Sequence, residues 1–389
     1  MRVAIVHYWL VSMRGGEKVV EALCDMYPEA DIFTLLYDPS AVSSKIRERN
    51  VTSSFLQKFP GANKYYQFLL PLMPFALESL DLTGYDLILS SESGPAKGVI
   101  PQPNAVHICY CHSPMRYLWD HYHFYRSTAS FMQRIAMSFV APLLRSWDVN
   151  TSARVDRFIA NSHHVAARIG KYYRRSASVI YPPVAIEDFK PCHDIGDFYL
   201  CAGQLVAYKR VDLAIEAFNK SGRKLVIIGE GAELVRLKAI AGPSISFLGR
   251  VDFGVLKDHL ARCRALVFPG EEDFGIVPVE AMASGRPVIA YGSGGALETV
   301  IHGSTGILFQ EQTADDLADA VDMFEEHVEL FVPSQIVKTV SKFAGSEFKN
   351  AIFQVIEEEL KIRSTGTVAQ PTFPRKEAVH STPLASTLH

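Results

Sequence analysis

Short apolar runs alternate with stretches of helical spacing along most of the 389 residues, a pattern that predicts parallel sheets joined by crossover helices. The expected strands of the first half are residues 2–9, 31–36, 85–90, 105–110, 157–160 and 178–181. Those of the second half are residues 198–202, 224–228, 245–248, 265–268 and 287–290. Between the halves, Tyr181-Pro-Pro-Val184 reads as a stiff, extended hinge, because proline fixes its own φ and biases the preceding residue away from helix. Near the end, Phe348, Ile352, Val355, Ile356 and Leu360 fall on one side of an amphipathic helix expected over 346–362.

The chain therefore reads as an α/β protein of two Rossmann-like domains facing across a cleft, residues 1–184 and 185–345, followed by the helix 346–362. The tail, 363–389, is rich in Ser, Thr and Pro with few large apolar residues and is expected to be disordered. A hydrophobic share of 48% is enough for two real cores. The net charge of −3 is unevenly divided, with +5 over residues 1–186 and −8 over the remainder. A mildly basic front half suits an anionic acceptor or a membrane surface, and it lacks the concentrated patch of a nucleic-acid binder. The six cysteines show no C-x-x-C pair and no zinc spacing; Cys109, Cys111, Cys201 and Cys263 lie in apolar segments, as reduced core residues of a cytoplasmic protein do. Met1–Tyr8 enters a strand too soon for a signal peptide, and no apolar run reaches membrane-spanning length. The expectation is a soluble or peripheral protein. Residues 55–80 mix Phe, Tyr and Leu with Lys58, Lys64 and three prolines, which fits core packing or a lipid-facing surface.

The most informative stretch is residues 271–290, which sets Glu272 and Glu280 across the entry to a short helix. Pro278 suits the first helical position and Gly285 the stop, placing Glu272 on a loop and Glu280 in the first turn. Free amides at a helix start hold phosphate, while carboxylates grip vicinal hydroxyls; together they equip a site for a nucleotide sugar. The plainer alternative is a strand–helix–strand unit whose acids simply favour the helix start. Gly15 and Gly16, after the first strand, permit close approach to phosphate or make an ordinary tight turn. His112 follows a strand directly, as a general acid/base, a hydrogen-bond partner of a sugar, or a residue closing the strand. Arg116 and Trp119 shape an acceptor pocket or pack locally; Asn161 or Ser162 caps a helix. Lys209 either neutralises a leaving diphosphate or is a solvated lysine. His121, His123, His163 and His164 lack an obvious third and fourth ligand, so no metal is expected.

Taken in order, Arg14-Gly-Gly-Glu-Lys18, the segment Cys109–Asp120 with its His-Ser-Pro-Met-Arg-Tyr, Tyr208-Lys-Arg-Val-Asp212, Phe247-Leu-Gly-Arg-Val251 and the paired glutamates resemble the retaining GT-B glycosyltransferases of family 4 (group 1). The segment around His112 is similar to the mannosyltransferase subgroup of surface-polysaccharide and O-antigen synthesis. The resemblance runs from the first strand to about Leu308. It implies that the first domain binds the acceptor, the second binds the donor, and the last helices cross back to brace the first. His112, Lys209 and Glu272 would carry the catalysis. Glu272 would hold the transferred sugar and Glu280 the ribose, within a rim of Phe274, Gly275, Ile276 and Val277. Gly15, Gly16, Gln204, Lys209 and Arg210 would face the diphosphate, and Gly249, Arg250 and Val251 the base. Arg14, His112, Arg116 and Trp119 would face the acceptor. Gln204 stands where the family usually has an arginine, losing charge and the bidentate fork; Arg210 or Arg14 would then compensate.

The implied reaction transfers a hexose, mannose from GDP-mannose, to a polyprenyl-diphosphate-linked glycan, with retention and without cofactor or metal, the nucleotide sugar being a substrate. Peripheral contact with the inner face of the plasma membrane is implied, and nucleic acid is not a partner. Other readings are a UDP-sugar-dependent transferase of the same fold, a nucleotide-sugar epimerase, and a non-catalytic binding subunit. No residue identifies guanine or mannose by its chemistry.

Overall fold

The computed structural model describes residues 1–364, so all but the first two residues of the expected tail lie outside it. The first lobe is a parallel sheet of seven strands: β1 (Val3–His7), β2 (Asp31–Thr34), β3 (Val51–Ser53), β4 (Leu87–Glu92), β5 (Val106–Cys111), β6 (Arg157–Ala160) and β7 (Ala177–Val179). Their order is β3-β2-β1-β4-β5-β6-β7. The second sheet has six parallel strands: β8 (Tyr199–Ala202), β9 (Leu225–Ile228), β10 (Ile245–Gly249), β11 (Leu266–Phe268), β12 (Val288–Tyr291) and β13 (Gly306–Phe309). Their order is β10-β9-β8-β11-β12-β13. Central strands such as β1, β4 and β5 are buried along their whole length, which is why they carry apolar runs, although β4 ends in the buried polar residues Ser90, Ser91 and Glu92.

Two strands escape the hydrophobic pattern. Val51-Thr-Ser53 is short and half polar, and it sits at a sheet edge. β13 opens on Gly306, where glycine resembles a breaker. A Cβ there would lie 1.9 Å from the Val288 carbonyl oxygen, so only glycine lets the two strands pair.

In each sheet the strand order reverses once next to the first strand, between β1 and β4 and between β8 and β11. Such switch points leave a crevice at the carboxyl ends of the strands. The loops after β1, β5, β8, β10 and β11, with the helix starts they lead into, carry the residues singled out from the sequence.

The connection 181–184 runs without helix into Val184, whose amide donates to the Phe343 carbonyl at 2.9 Å. Tyr181 packs its ring against Phe274 and Phe343, joining the hinge to the second lobe. The helix Gly345–Ser364 then returns, burying Phe348, Ile352, Val355 and Ile356 in the core of the first lobe. None of the six cysteines is bridged. Among the described residues no helix is long and apolar enough to cross a membrane.

Residues 55–80 divide between the two expectations. Leu56, Met73, Ala76 and Leu77 are core, whereas Phe59, Tyr65, Phe68 and Phe75 are exposed.

Candidate active site

β8 ends at Ala202, and the next residue, Gly203, has a φ of 140° that is open to glycine alone and turns the chain beneath a lysine. A Cβ on Gly203 would sit 3.0 Å from Lys209 Nζ. The ammonium lies 2.8 Å from Glu272 Oε1. Burial works against the charged lysine, but Glu272 and Tyr208 beside it hold its pKa above the ordinary value. Gln204, Lys209, Gly270 and Glu272 line one hollow at the ends of β8 and β11, and Gln204 is exposed.

Glu272 lies on the loop, held by the Gly295 amide donating to its carbonyl at 2.8 Å. The following helix spans Ile276–Ala283 and starts at Gly275, with φ of 87°. It begins earlier than the sequence implied. Pro278 is the third helical residue rather than the first, still within the turn where no N–H partner is needed. Glu280 consequently lies past the first turn, not in it, so the free amides belong to the loop and to residues 276–279. Glu280 is half-buried; burial raises its pKa to about 7, opposed only by Lys18 of the facing lobe.

Across the cleft, the helix Gly15–Met26 begins where the lobes touch: a Cβ on Gly15 would meet Ile276 Cδ1 at 2.7 Å. Gly16 faces His112, with a Cβ there 3.6 Å from Nε2. His112 donates its amide to the Glu92 carbonyl at 2.6 Å and shares a hydrogen bond of 2.8 Å between Nε2 and Ser91 Oγ. Burial, with His7 adding to it, pushes the imidazole pKa down to about 3. His112 is therefore neutral near pH 7, able to donate or accept a hydrogen bond but not to deliver a proton as an imidazolium.

The structure places the remaining residues unequally. Arg116 reaches over the cleft to Asp273, Nη2 to Oδ1 at 2.8 Å. Trp119 is committed to its own lobe, donating Nε1–H to Asp148 at 2.8 Å and stacking on Tyr172. Arg210 turns to Asp212 at 3.2 Å and Gln312 at 3.4 Å, within its own lobe. Arg14 is exposed, with its amide capped by Glu17. Gly249 and Val251 flank the exposed Arg250 at the end of β10, and Phe274 is buried against the hinge. Among the described residues, no three His, Cys, Asp or Glu side chains gather to hold a metal.

Several cross-cleft residues were not singled out from the sequence. Arg168 Nη1 lies 2.6 Å from Asp273, and Glu298 accepts the amides of His163 and His164 at 2.9 and 3.0 Å. The available signal was Arg168 itself, an arginine on the buried side of the helix His163–Tyr173 beside Val165 and Ile169.

Two parallel α/β lobes, with Lys209 and Glu272 at the switch point of one and the glycine turn of the other packed against Ile276, define the architecture of a GT-B glycosyltransferase. The chain belongs to that class's family 4, group 1: the models described as "Glycosyltransferase Family 4" and "Glycosyl transferases group 1" match residues 13–188 and 192–330. It is 30% identical over 200 residues to an uncharacterized glycosyltransferase of Methanocaldococcus jannaschii, covering 50% of this chain and 54% of that protein. It is 31% identical over 216 residues to the GDP-mannose-dependent alpha-(1-6)-phosphatidylinositol monomannoside mannosyltransferase of Mycobacterium tuberculosis, covering 45% and 56%. The chain thus matches little more than half the length of these relatives. Its fold is similar to that of Anabaena HepE, solved with UDP and glucose, at a TM-score of 0.67, 18% identity and coverage of 92% and 99%. Sucrose-phosphate synthase of Thermosynechococcus elongatus gives a TM-score of 0.71 at 18% identity, covering 93% and 100%.

Proposed function

We propose that the protein is a retaining glycosyltransferase that moves a hexose, mannose from GDP-mannose, onto a polyprenyl-diphosphate-linked glycan. The observation that carries the reading is the Lys209–Glu272 pair at 2.8 Å, set at the second sheet's switch point, while Gly15 of the other lobe lies against Ile276 of the loop and helix that follow Glu272. Lys209 would stabilise charge on the departing diphosphate, Glu272 would orient the sugar hydroxyls, and Glu280 would hold the ribose diol. The C1–O bond to phosphate breaks as a bond from C1 to the acceptor oxygen forms on the same face. The acceptor's proton passes to a phosphate oxygen, so the charges balance without cofactor or metal. Closure of the lobes excludes water. The donor rests on the mannosyltransferase relative, which is named for GDP-mannose.

A lipid-borne acceptor fits the outer face of the first lobe. The helix Phe131–Thr151 exposes Phe131, Met132, Phe139 and Leu143, and Leu70 packs it beside the exposed Phe68 and Phe75. Residues 55–75 and 121–147 hold Lys58, Lys64, Arg126, Arg134 and Arg145 and no acid. An apolar face flanked by these basic side chains, with the nearby Glu78 already paired to Arg154, suits an anionic bilayer such as the inner leaflet.

Incubation with a panel of nucleotide sugars and lipid-linked acceptors, reading released nucleoside diphosphate and glycosylated product, tests the proposal. Acceptor-dependent release of GDP from GDP-mannose is expected. Turnover of UDP-sugars alone would refute the donor, and donor conversion without acceptor would favour an epimerase.

A further inference from the structure

Behind His112 runs a chain of buried polar groups that leads away from the cleft. Its Nε2 meets Ser91 Oγ at 2.8 Å, and the same hydroxyl meets His7 Nδ1 at 3.1 Å. His7 Nε2 then faces Glu17 Oε1 at 3.7 Å, an electrostatic contact rather than a formed hydrogen bond. Glu17 Oε2 accepts the Arg14 amide at 2.9 Å. His7 and Ser91 are fully buried and Glu17 is 1% exposed. Three elements supply the groups: the end of β1, the end of β4 and the first turn of the helix Gly15–Met26.

Proton counting fixes the direction of this chain. Ser91 has a single hydroxyl proton but two imidazole nitrogens to satisfy. It donates to one and must accept an N–H from the other, so of the two nitrogens that face it one is bare and the other carries a hydrogen. Glu17 decides which. Burial opposes its charge, yet His7 and the neighbouring amides hold its pKa below the ordinary range, leaving a carboxylate that only accepts. Because Glu17 only accepts, the His7 nitrogen facing it, Nε2, carries a hydrogen, and Nδ1 is the nitrogen that takes the Ser91 hydroxyl. Ser91 in turn accepts Nε2–H from His112. The Nδ1 of His112, which bonds no group among the described residues, is left with a bare lone pair.

We propose that Glu17, His7 and Ser91 are positioning residues that fix His112 as its Nε2–H tautomer, making Nδ1 a hydrogen-bond acceptor for a hydroxyl of the sugar bound in the cleft. The inference rests on the glycosyl-transfer reading for its ligand, but the tautomer itself does not. It also assigns the glutamate of Arg14-Gly-Gly-Glu-Lys18 a task besides capping: its carboxylate reads through two side chains into the cleft.

Long-range ¹H–¹⁵N spectra of the ¹⁵N-labelled full chain, with His112 assigned through His112→Gln, report which ring nitrogen carries the proton. The wild type is expected to show Nε2–H. Ser91→Ala and Glu17→Gln are each expected to give a mixture of tautomers, whereas Ser91→Thr, which keeps the hydroxyl, restores one. With donor and acceptor supplied, Ser91→Ala should lower kcat about tenfold, the scale of one lost hydrogen bond, with donor KM changed less than about twofold. An Nδ1–H tautomer in the wild type, or spectra unmoved by both Ser91→Ala and Glu17→Gln, would overturn the proposal. The spectra need no substrate, so Nε2–H without any transfer activity would sink the glycosyl-transfer reading and leave the positioning chain standing.

Discussion

Arg116 and Asp273 grip each other from opposite lobes, Nε to Oδ2 at 3.0 Å and Nη2 to Oδ1 at 2.8 Å. Arg168 of the first lobe shares the same carboxylate, and Glu298 of the second caps the helix that carries Arg168. Asp273 immediately follows Glu272, so whatever holds the lobes together also sets the distance between Glu272 and His112. Asp273→Asn keeps the shape and removes the charge. Small-angle scattering should show a larger radius of gyration for this variant, and the donor KM should rise roughly tenfold, as expected for loss of a charge-assisted, partly buried pair. Burial alone would raise the Asp273 pKa, but Arg116 and Arg168 hold it below the usual 3.8. The cohesion it supplies is therefore present above that value and is lost as pH falls through the lower folded-state pKa. An opening of the wild type between pH 8 and pH 5 would contradict this account.

Lys209 and Glu272 pair directly with each other, so removing either leaves the other half-desolvated without a partner. Lys209→Ala should lower kcat by about 10²–10³, the range for losing one donor aimed at developing charge. Glu272→Gln should act mainly on sugar discrimination. Transfer surviving both changes nearly intact would show that chemistry occurs elsewhere.

Much of the fold was legible because both sheets are parallel and buried, so their strands appear as uninterrupted apolar runs bounded by turns. β6 coincides with its expected range, 157–160, for that reason. Val51–Ser53 was not legible, since an edge strand buries too little to carry a pattern. The helix entry near Glu280 was misjudged because proline is tolerated anywhere in the first turn, and the true start is set by the backbone of Gly275. The glycines, His112, Lys209 and Glu272 stood out through local chemistry. Asp273 with Arg168, and Ser91 with His7, are pairings across 105 and 84 residues, which no local spacing encodes.

Glu280 gives the cleft a pH signature. Its pKa rises from 4.5 to about 7 because burial disfavours the ionised form. The folded state thus binds this proton more tightly than the unfolded chain does. Its contribution to stability is complete below pH 4.5 and disappears as pH rises to about 7. Glu280→Gln should therefore raise the melting temperature of the ligand-free protein at pH 8 by a few degrees, corresponding to about 1–2 kcal/mol. The ionised carboxylate is the better acceptor for a ribose diol, so nucleotide affinity should climb between pH 6 and pH 8 in the wild type. In Glu280→Gln it should be weak and flat. Calorimetric titration with a nucleoside diphosphate at several pH values checks both; an equal slope in the variant would assign the titration to another group.

The long helix of the first lobe is fixed so that its apolar side faces outward. Asp148, near its end, is fully buried and receives Lys97 and the Trp119 indole N–H, which anchors one side of the helix to the lobe. The opposite side presents Phe139 and Leu143, 73% and 72% exposed. If that side rests on a bilayer, each residue contributes about 1.5–3 kcal/mol on full burial. Phe139→Asp combined with Leu143→Asp should then weaken binding to phosphatidylglycerol vesicles by more than about tenfold, since part of that burial is lost even in a shallow contact. Neither substitution touches the cleft, so transfer to a short, water-soluble acceptor should be unchanged. Vesicle flotation at low and high salt separates the two forces: salt should weaken the contribution of Lys58, Lys64, Arg126 and Arg134 and leave the apolar part. Equal flotation of the wild type and the double variant would place the membrane contact, if there is one, on another face.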